Sequence, residues 1–103
     1  MRKEAKILKT ILKAEYPKSN ISVRFIACRN YVDSSDKMLV TMDGANFMDV
    51  RCTILRHTRN VSVYRHKDIV ARDGMCDPYI LDTESNTWTS LDMCEFIELN
   101  IKE

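Results

Sequence analysis

Residues 3–28 read KEAKILKTILKAEYPKSNISVRFIAC and predict a basic amphipathic helix followed by a β-strand. Apolar residues recur at helical spacing from Ile7 to Tyr16, and lysines occupy the other side of that helix. Pro17 lacks a backbone N–H and disfavours the α region for the residue before it, so we expect the helix to end at Tyr16. Apolar and polar residues then alternate from residue 21, as in a strand with one buried face.

The rest of the chain continues to mix helical and strand patterns. Asn46 is a suitable N-cap for a second helix, which we expect to reach about His57. Strands are expected at 38–42 and 61–64, a hairpin at 79–81 and 87–89, and a last strand at 96–102. A short helix from residue 91 is the alternative for that last segment.

These elements predict a single small α+β domain over residues 1–103. Alternating strands need an apolar cover, so we expect a two-layer architecture with an antiparallel sheet of four or five strands and both helices on one face. Trp88 is expected to cap the core. The predicted core is Ile7, Leu8, Ile11, Leu12, Val23, Phe25, Leu39, Val50, Ile54, Val61, Ile97 and Leu99.

The composition favours a cytoplasmic protein without a membrane partner. No apolar run is long enough to span a bilayer, and Lys9 and Lys13 interrupt the opening apolar positions in a way that a signal peptide would not tolerate. The four cysteines, at 28, 52, 76 and 94, form no C-x-x-C pair. We therefore expect reduced cysteines that behave as small apolar residues, with no metal site and no cofactor.

The net charge of +1 conceals an asymmetry along the chain. Residues 1–72 hold fifteen Lys and Arg against seven Asp and Glu, whereas residues 73–103 hold one Lys against eight Asp and Glu. An acidic C-terminal third could complement a basic groove on a partner protein. A mixed, solvated surface is the alternative if the two parts interleave in the fold.

A basic run between residues 51 and 67 contains no acidic residue. Cations beside an aromatic ring suit phosphate contacts and base stacking, although solvated Arg and Lys on a helix and its following strand are the commoner explanation. The candidate nucleic-acid contacts are Arg51, Arg56, Arg59, Tyr64, Arg65 and Lys67.

The segment DGMCDPY, at 73–79, is a candidate recognition loop because loops often carry binding residues. The structural alternative is a compact turn held by its apolar side chains. The candidate contacts to a protein partner are Asp73, Met75, Asp77 and Tyr79.

Catalytic patterns are weak. His57 and His66 are the only histidines, and neither has a partner at the spacing of a known metal or nucleophile motif. A hydrolase would require one of them to pair with an acid such as Asp73 or Asp77. We therefore expect a protein that is not an enzyme.

Two stretches resemble the large polyvalent protein-associated domain of phage and conjugative-element proteins, over about residues 4–82. The matching residues are Ala5-Lys6-Ile7-Leu8-Lys9, Leu12-Lys13, Tyr16-Pro17, Ile21-Ser22-Val23-Arg24, a strand ending in Asp43-Gly44, and Asp73-Gly74-Met75 with Asp77 and Tyr79. The resemblance implies a setting in mobile elements and carries no specific activity.

These observations lead to two functional expectations. The first is a non-enzymatic binding protein of a phage or mobile element that acts on a host protein in the bacterial cytoplasm, with an inhibitor of a defence system such as an anti-CRISPR protein as its sharpest form. The second is a nucleic-acid-binding accessory domain. The oligomeric state stays open.

Overall fold

The computed structural model describes residues 2–26, 36–66, 77–91 and 94–103. Its elements place the chain in the α+β class, as predicted. They are α1 (Lys3–Glu15), β1 (Ile21–Ile26), β2 (Asp36–Asp43), α2 (Phe47–Arg56), β3 (Thr58–Arg59), β4 (Ser62–Arg65), β5 (Tyr79–Asp82), β6 (Thr87–Ser90) and β7 (Cys94–Lys102).

Both helices begin and end close to their predicted bounds. α1 ends at Glu15, and the backbone N–H of Tyr16 closes the last turn by donating to the carbonyl of Leu12 at 2.8 Å. Asn46 caps α2, since its side-chain oxygen accepts from the backbone N–H groups of Met48 and Asp49. These bonds satisfy donors that have no partner inside the helix.

The larger sheet has four strands in the order β1-β2-β7-β4, and its strand directions correct the prediction of an antiparallel sheet. β1 and β2 are antiparallel, but β7 is parallel to both of its neighbours. Parallel neighbours need a crossover connection, which the intervening α2 and smaller sheet provide here. Alternation of apolar and polar residues reports a half-buried strand and says nothing of its direction.

A second sheet of three antiparallel strands, in the order β3-β5-β6, also departs from the single predicted sheet. The predicted hairpin forms β5 and β6. Their neighbour β3 is only two residues long, with Thr58 opposite Ile80 and Arg59 opposite Tyr79. So short a segment has no readable period.

The core lies between the four-stranded sheet and the two helices. Val23, Val40 and Leu99 stand side by side across three strands and are buried. Leu8 of α1 and Ile54 of α2 are fully buried and belong to the same core. Because α1 packs on β1, α2 packs on β4 and β7, and the helices contact one another, both cover one face, as predicted.

Three residues of the predicted core, and Trp88 as its expected cap, are less buried than predicted. Leu39 is only half-buried, because the alternation of β2 places it in register with Glu98 on the face away from the helices. Phe25 and Val61 are partly buried against the core. Trp88 does not cap the core, since 39% of it is exposed. Apolar residues occur on both faces of these strands, so composition alone did not identify the inner face.

Candidate functional site

The outer face of the three-stranded sheet carries two exposed residues, Arg59 and Trp88, beside the half-buried Tyr79 and Leu81, and we call these four residues the Trp88 surface. Register places them together, because Tyr79 lies opposite Arg59 and Leu81 lies opposite Trp88. Ile80, which points to the other side, is fully buried. The sheet therefore has one face in the core and one face directed outward.

An arginine stacks on the exposed tryptophan at this surface. The guanidinium carbon of Arg59 lies 4.2 Å from the centroid of the Trp88 ring. At an exposed site such a cation–π contact is worth about 0.5–1 kcal/mol. The contact holds two long side chains together and leaves 39% of Trp88 exposed.

The end of the predicted recognition loop adjoins this surface. Asn60 adopts a left-handed conformation, with φ of 59°, and its side-chain amide donates to the backbone carbonyl of Asp77 at 2.8 Å. Asp77 is exposed, and Tyr79 follows it as the first residue of β5. The other two candidate contacts of the loop, Asp73 and Met75, lie outside the described residues.

The hairpin is acidic. Asp82 accepts a hydrogen bond from the backbone N–H of Glu84 at 3.1 Å, and Asn86 takes a left-handed conformation with φ of 56°. This hydrogen bond and the left-handed residue form a tight turn in which Glu84 is exposed. Residues 77–91 contain three acids, Asp77, Asp82 and Glu84, and no Lys or Arg.

A second polar cluster lies on the face of the four-stranded sheet away from the helices, and its centre is Glu98. This carboxylate is almost fully buried, at 6% exposure. His66 Nδ1 lies 2.9 Å from one carboxylate oxygen, and Lys37 Nζ lies 3.3 Å from the other. Tyr64 is in register with Glu98 on the neighbouring strand, and its ring meets Phe96 edge-on at 6.1 Å between centroids.

The electrostatics of this cluster favour an ionised carboxylate. Burial raises the pKa of Glu98, but hydrogen bonds from His66 and Lys37 lower it further, so the net pKa lies below its usual value. Burial and the charge of Glu98 raise the pKa of Tyr64 to about 12. Since an ionised carboxylate can only accept, the proton shared with His66 belongs to Nδ1.

One histidine does pair with an acid, as a hydrolase would require, but the acid is Glu98 and not one of the two that the sequence singled out. His66 pairs with Glu98 rather than with Asp77, while His57 Nδ1 contacts the carbonyl oxygen of Thr53 at 2.7 Å. Asp73 lies outside the described residues. Over the described ranges no group of three His, Cys, Asp or Glu side chains is placed to hold a metal.

The cysteines divide between surface and core. Cys94 is buried, and this burial raises the pKa of its thiol to about 12, so it is present as an unreactive thiol. Cys52 is exposed on α2. Cys28 and Cys76 lie outside the described residues.

The basic run of 51–67 points in several directions. Arg51 Nε donates to the carbonyl of Val63, and Arg56 donates to Glu15 at 3.2 Å. Consecutive residues of a strand face opposite sides, so Tyr64 and Arg65 lie on different faces of β4. The guanidinium of Arg65 lies 4.3 Å from the centroid of the Phe47 ring, and that of Arg59 stacks on Trp88. Lys67 lies outside the described residues.

Sequence reasoning missed Trp88 and Glu98 as candidate functional residues. One available signal was the pairing of a hairpin, since a four-residue connection between β5 and β6 sets Leu81 opposite Trp88. No local signal could have found Glu98, because its partners come from β2 and from the residue after β4.

No family model, curated protein or solved structure matches this chain. Neither described helix, of 13 and 10 residues, has the length and apolar character needed to cross a membrane.

Proposed function

We propose that this chain is a non-enzymatic protein-binding domain that contacts its partner through the Trp88 surface. The observation that carries the proposal is the exposed Arg59–Trp88 stack on an ordered sheet, with Tyr79 and Leu81 beside it. Tryptophan, tyrosine and arginine are enriched in the residues that dominate binding energy at protein interfaces. Strand pairing fixes the backbone that presents them, which reduces the conformational entropy lost on binding.

The partner is a bacterial host protein, and the chain belongs to a phage or another mobile element. The resemblance to the large polyvalent protein-associated domain supports this setting, and two of its matching residues, Asp77 and Tyr79, adjoin or form the Trp88 surface. In its sharpest form the protein inhibits a bacterial defence system, as an anti-CRISPR protein does. Its acidic hairpin would complement a basic groove on such a target.

A matched pair of variants tests the proposal. Trp88→Ala removes an exposed aromatic residue, and Leu55→Ala removes a residue of similar exposure, 39% against 37%, from α2. Tagged wild-type and variant proteins are used to capture partners from bacterial host lysate, and the affinity for each captured protein is then measured by calorimetry. Loss of a hot-spot tryptophan typically weakens binding by about 2 kcal/mol or more, or about thirtyfold.

Tryptophan fluorescence provides an independent readout, because Trp88 is the only tryptophan of the chain. Its emission should shift to shorter wavelength when the captured partner covers it. The proposal is wrong if Trp88→Ala captures the same proteins with unchanged affinity, or if Leu55→Ala alone abolishes capture.

Nucleic-acid binding is the second candidate, favoured by the exposed lysines on the outer side of α1, Lys3, Lys6 and Lys13. It predicts a complex in a gel-shift assay at low salt whose affinity falls linearly on a log–log scale as salt rises. Replacing Arg56, Arg59, Arg65 and Lys67 together should flatten that slope. Absence of a complex at micromolar protein would eliminate this candidate.

A further inference from the structure

A cleft lies at the end of the four-stranded sheet where β1 begins and where β2 and β7 end. Its volume of about 390 Å³ falls within the range of roughly 300–1,000 Å³ that is typical of small-molecule sites. The cleft is lined by α1, by the turn after it and by three strands, through Lys13, Asn20, Ile21, Ser22, Thr41, Met42, Asp43, Asn100 and Lys102.

Strand register brings three uncharged polar side chains together in this cleft. Ser22 is in register with Thr41, and Thr41 is in register with Asn100. Because neighbouring strands lie about 4.8 Å apart, these residues form a row about 10 Å long, which we call the polar row. All three are exposed, whereas Ile21 and Met42, which precede or follow them along the strands, are buried.

The donors in the cleft are not committed to other protein groups. Within residues 2–26, 36–66, 77–91 and 94–103, the side chains of the polar row make no hydrogen bond, and neither Lys13 nor Lys102 has a carboxylate within 4.0 Å of its ammonium group. Lys37, on the same sheet, is by contrast paired with Glu98. A ligand in the cleft would therefore meet donors that are available to it.

Asp43 is the only acidic residue that lines the cleft, and Asn20 holds its carboxylate in place. The backbone N–H of Asn20 donates to one oxygen at 3.0 Å, and its side-chain amide donates to the other at 2.9 Å. These bonds lower the pKa of Asp43, so the group is ionised at neutral pH. An ionised carboxylate only accepts hydrogen bonds and has room for more than two, which suits the hydroxyl groups of a sugar.

The lining as a whole selects a ligand that combines negative charge with hydroxyl groups. Two lysines outnumber one carboxylate, and lysine binds phosphate as a point charge. The hydroxyl and carboxamide groups of the polar row both donate and accept, as recognition of a polyol requires. No aromatic side chain lines the cleft, so nothing in it would stack on a nucleobase.

We infer that this cleft is a binding site for a small sugar phosphate. Lys13 and Lys102, whose flexible stems allow both ammonium groups to converge, hold the phosphate. Asp43 and the polar row hold the sugar hydroxyls, much as an acidic side chain accepts from ribose in dinucleotide-binding folds. The site shares no residue with the Trp88 surface and does not depend on the proposed function.

The test uses the full chain with ribose-5-phosphate as the probe, and with ribose and inorganic phosphate as controls. Affinity is measured by calorimetry, and the position of binding is followed by NMR of the backbone amides. We expect ribose-5-phosphate to bind at least tenfold more tightly than either control and to shift the amide resonances of the polar row.

Variants of the protein separate the two halves of the ligand. Lys13→Gln combined with Lys102→Gln should weaken ribose-5-phosphate at least tenfold. Lys6→Gln, which changes an exposed lysine of α1 outside the cleft, should leave its affinity unchanged. Asp43→Asn should reduce the preference for ribose-5-phosphate over inorganic phosphate several-fold, because it alters the acceptor for the sugar. Thermal unfolding verifies that each variant is folded.

Three results would overturn the inference. The first is no saturable response at about 10 mM ribose-5-phosphate, which excludes a Kd near 1 mM or tighter. The second is equally tight binding of inorganic phosphate, which indicates attraction to charge alone. The third is an equal loss in Lys6→Gln and in the double lysine variant, which indicates general attraction to α1.

A nucleic-acid chain in the cleft would also overturn it. That outcome is recognised if a single-stranded ribo-oligonucleotide displaces ribose-5-phosphate at a far lower concentration and loses affinity steeply as salt rises. Capture of a host protein through Trp88 is measured separately, so the failure of this site would leave the proposed function intact.

Discussion

His66 Nδ1 and Glu98 Oε2 lie 2.9 Å apart, although 32 residues separate them in the sequence. The second carboxylate oxygen of Glu98 lies 3.3 Å from Lys37 Nζ. The carboxylate is thus almost completely buried and bonded on both oxygens. The two hydrogen bonds offset the cost of burying the Glu98 charge. Removal of the carboxylate or of one of its donors would leave a polar group without a hydrogen-bond partner.

The stability of the protein should fall in acid because of Glu98. Its folded pKa lies below the unfolded value, so its contribution is fully present above the unfolded pKa and is lost as pH falls through the folded pKa. At pH 7, Glu98→Gln should lower the free energy of unfolding by about 1–3 kcal/mol. The difference between the two proteins should begin to shrink as pH falls below about 4.3, the ordinary pKa of a glutamate, and shrink further as pH falls through the lowered folded pKa.

Urea titrations at several pH values measure this difference. Asp43→Asn is the control, because the pKa of Asp43 is also lowered, by hydrogen bonds from Asn20, but its carboxyl is exposed. The Asp43→Asn protein should still lose stability in acid when Glu98 becomes protonated. A constant gap between wild type and Glu98→Gln from pH 7 to pH 3 would contradict the assignment.

Adjacent residues of α2 should respond very differently to truncation. Ile54 is completely buried, whereas 37% of Leu55 is exposed. Ile54→Ala removes buried methylene groups and leaves a cavity, so it should destabilise the fold by about 2–5 kcal/mol. Leu55→Ala should change stability by about 0.5 kcal/mol or less. Thermal and urea unfolding compare the two, and equal losses would show that the assigned buried face of α2 is wrong.

The N-cap of α2 should contribute measurably to stability. Asn46→Ala removes the acceptor for the N–H groups of Met48 and Asp49, at 2.9 and 3.3 Å, and should lower stability by about 0.5–2 kcal/mol. Asn46→Asp keeps an oxygen at that place and should be close to neutral. Thermal unfolding followed by circular dichroism measures the stability of both variants. If Asn46→Ala is as stable as the wild type, the Asn46 cap does not stabilise α2.

Gly44 should resist substitution because of its backbone, not because of crowding. It has φ of +65°, and a Cβ added there would meet its nearest side-chain atom, the Ser19 hydroxyl, at an ordinary 3.9 Å. Gly44→Ala should therefore destabilise the protein by about 1–2 kcal/mol through backbone strain alone. Gly44→Asn should lose less, since asparagine tolerates this region. Equal stability of the Ala variant and the wild type would rule out the strained turn.

Much of the candidate surface was within reach of sequence reasoning, but its assembly was not. The hairpin was predicted at 79–81 and 87–89 from the connection between them, and Tyr79 was identified as a candidate contact. Arg59 was assigned to a basic run, but the two-residue strand that carries it has no pattern of its own. Its stacking on Trp88 follows from pairing with β5, which is a long-range contact.

The sequence by itself determined the helices, most strands, the Asn46 cap and the Gly44 turn, because these depend on spacing and chemistry within a few residues. Only the tertiary structure decided that β7 enters the centre of a mixed sheet, that Glu98 meets Lys37 and His66, and that Trp88 faces outward. Those features are set by which strands become neighbours. Strand pairing is governed by the packing of the whole core and leaves no local period in the chain.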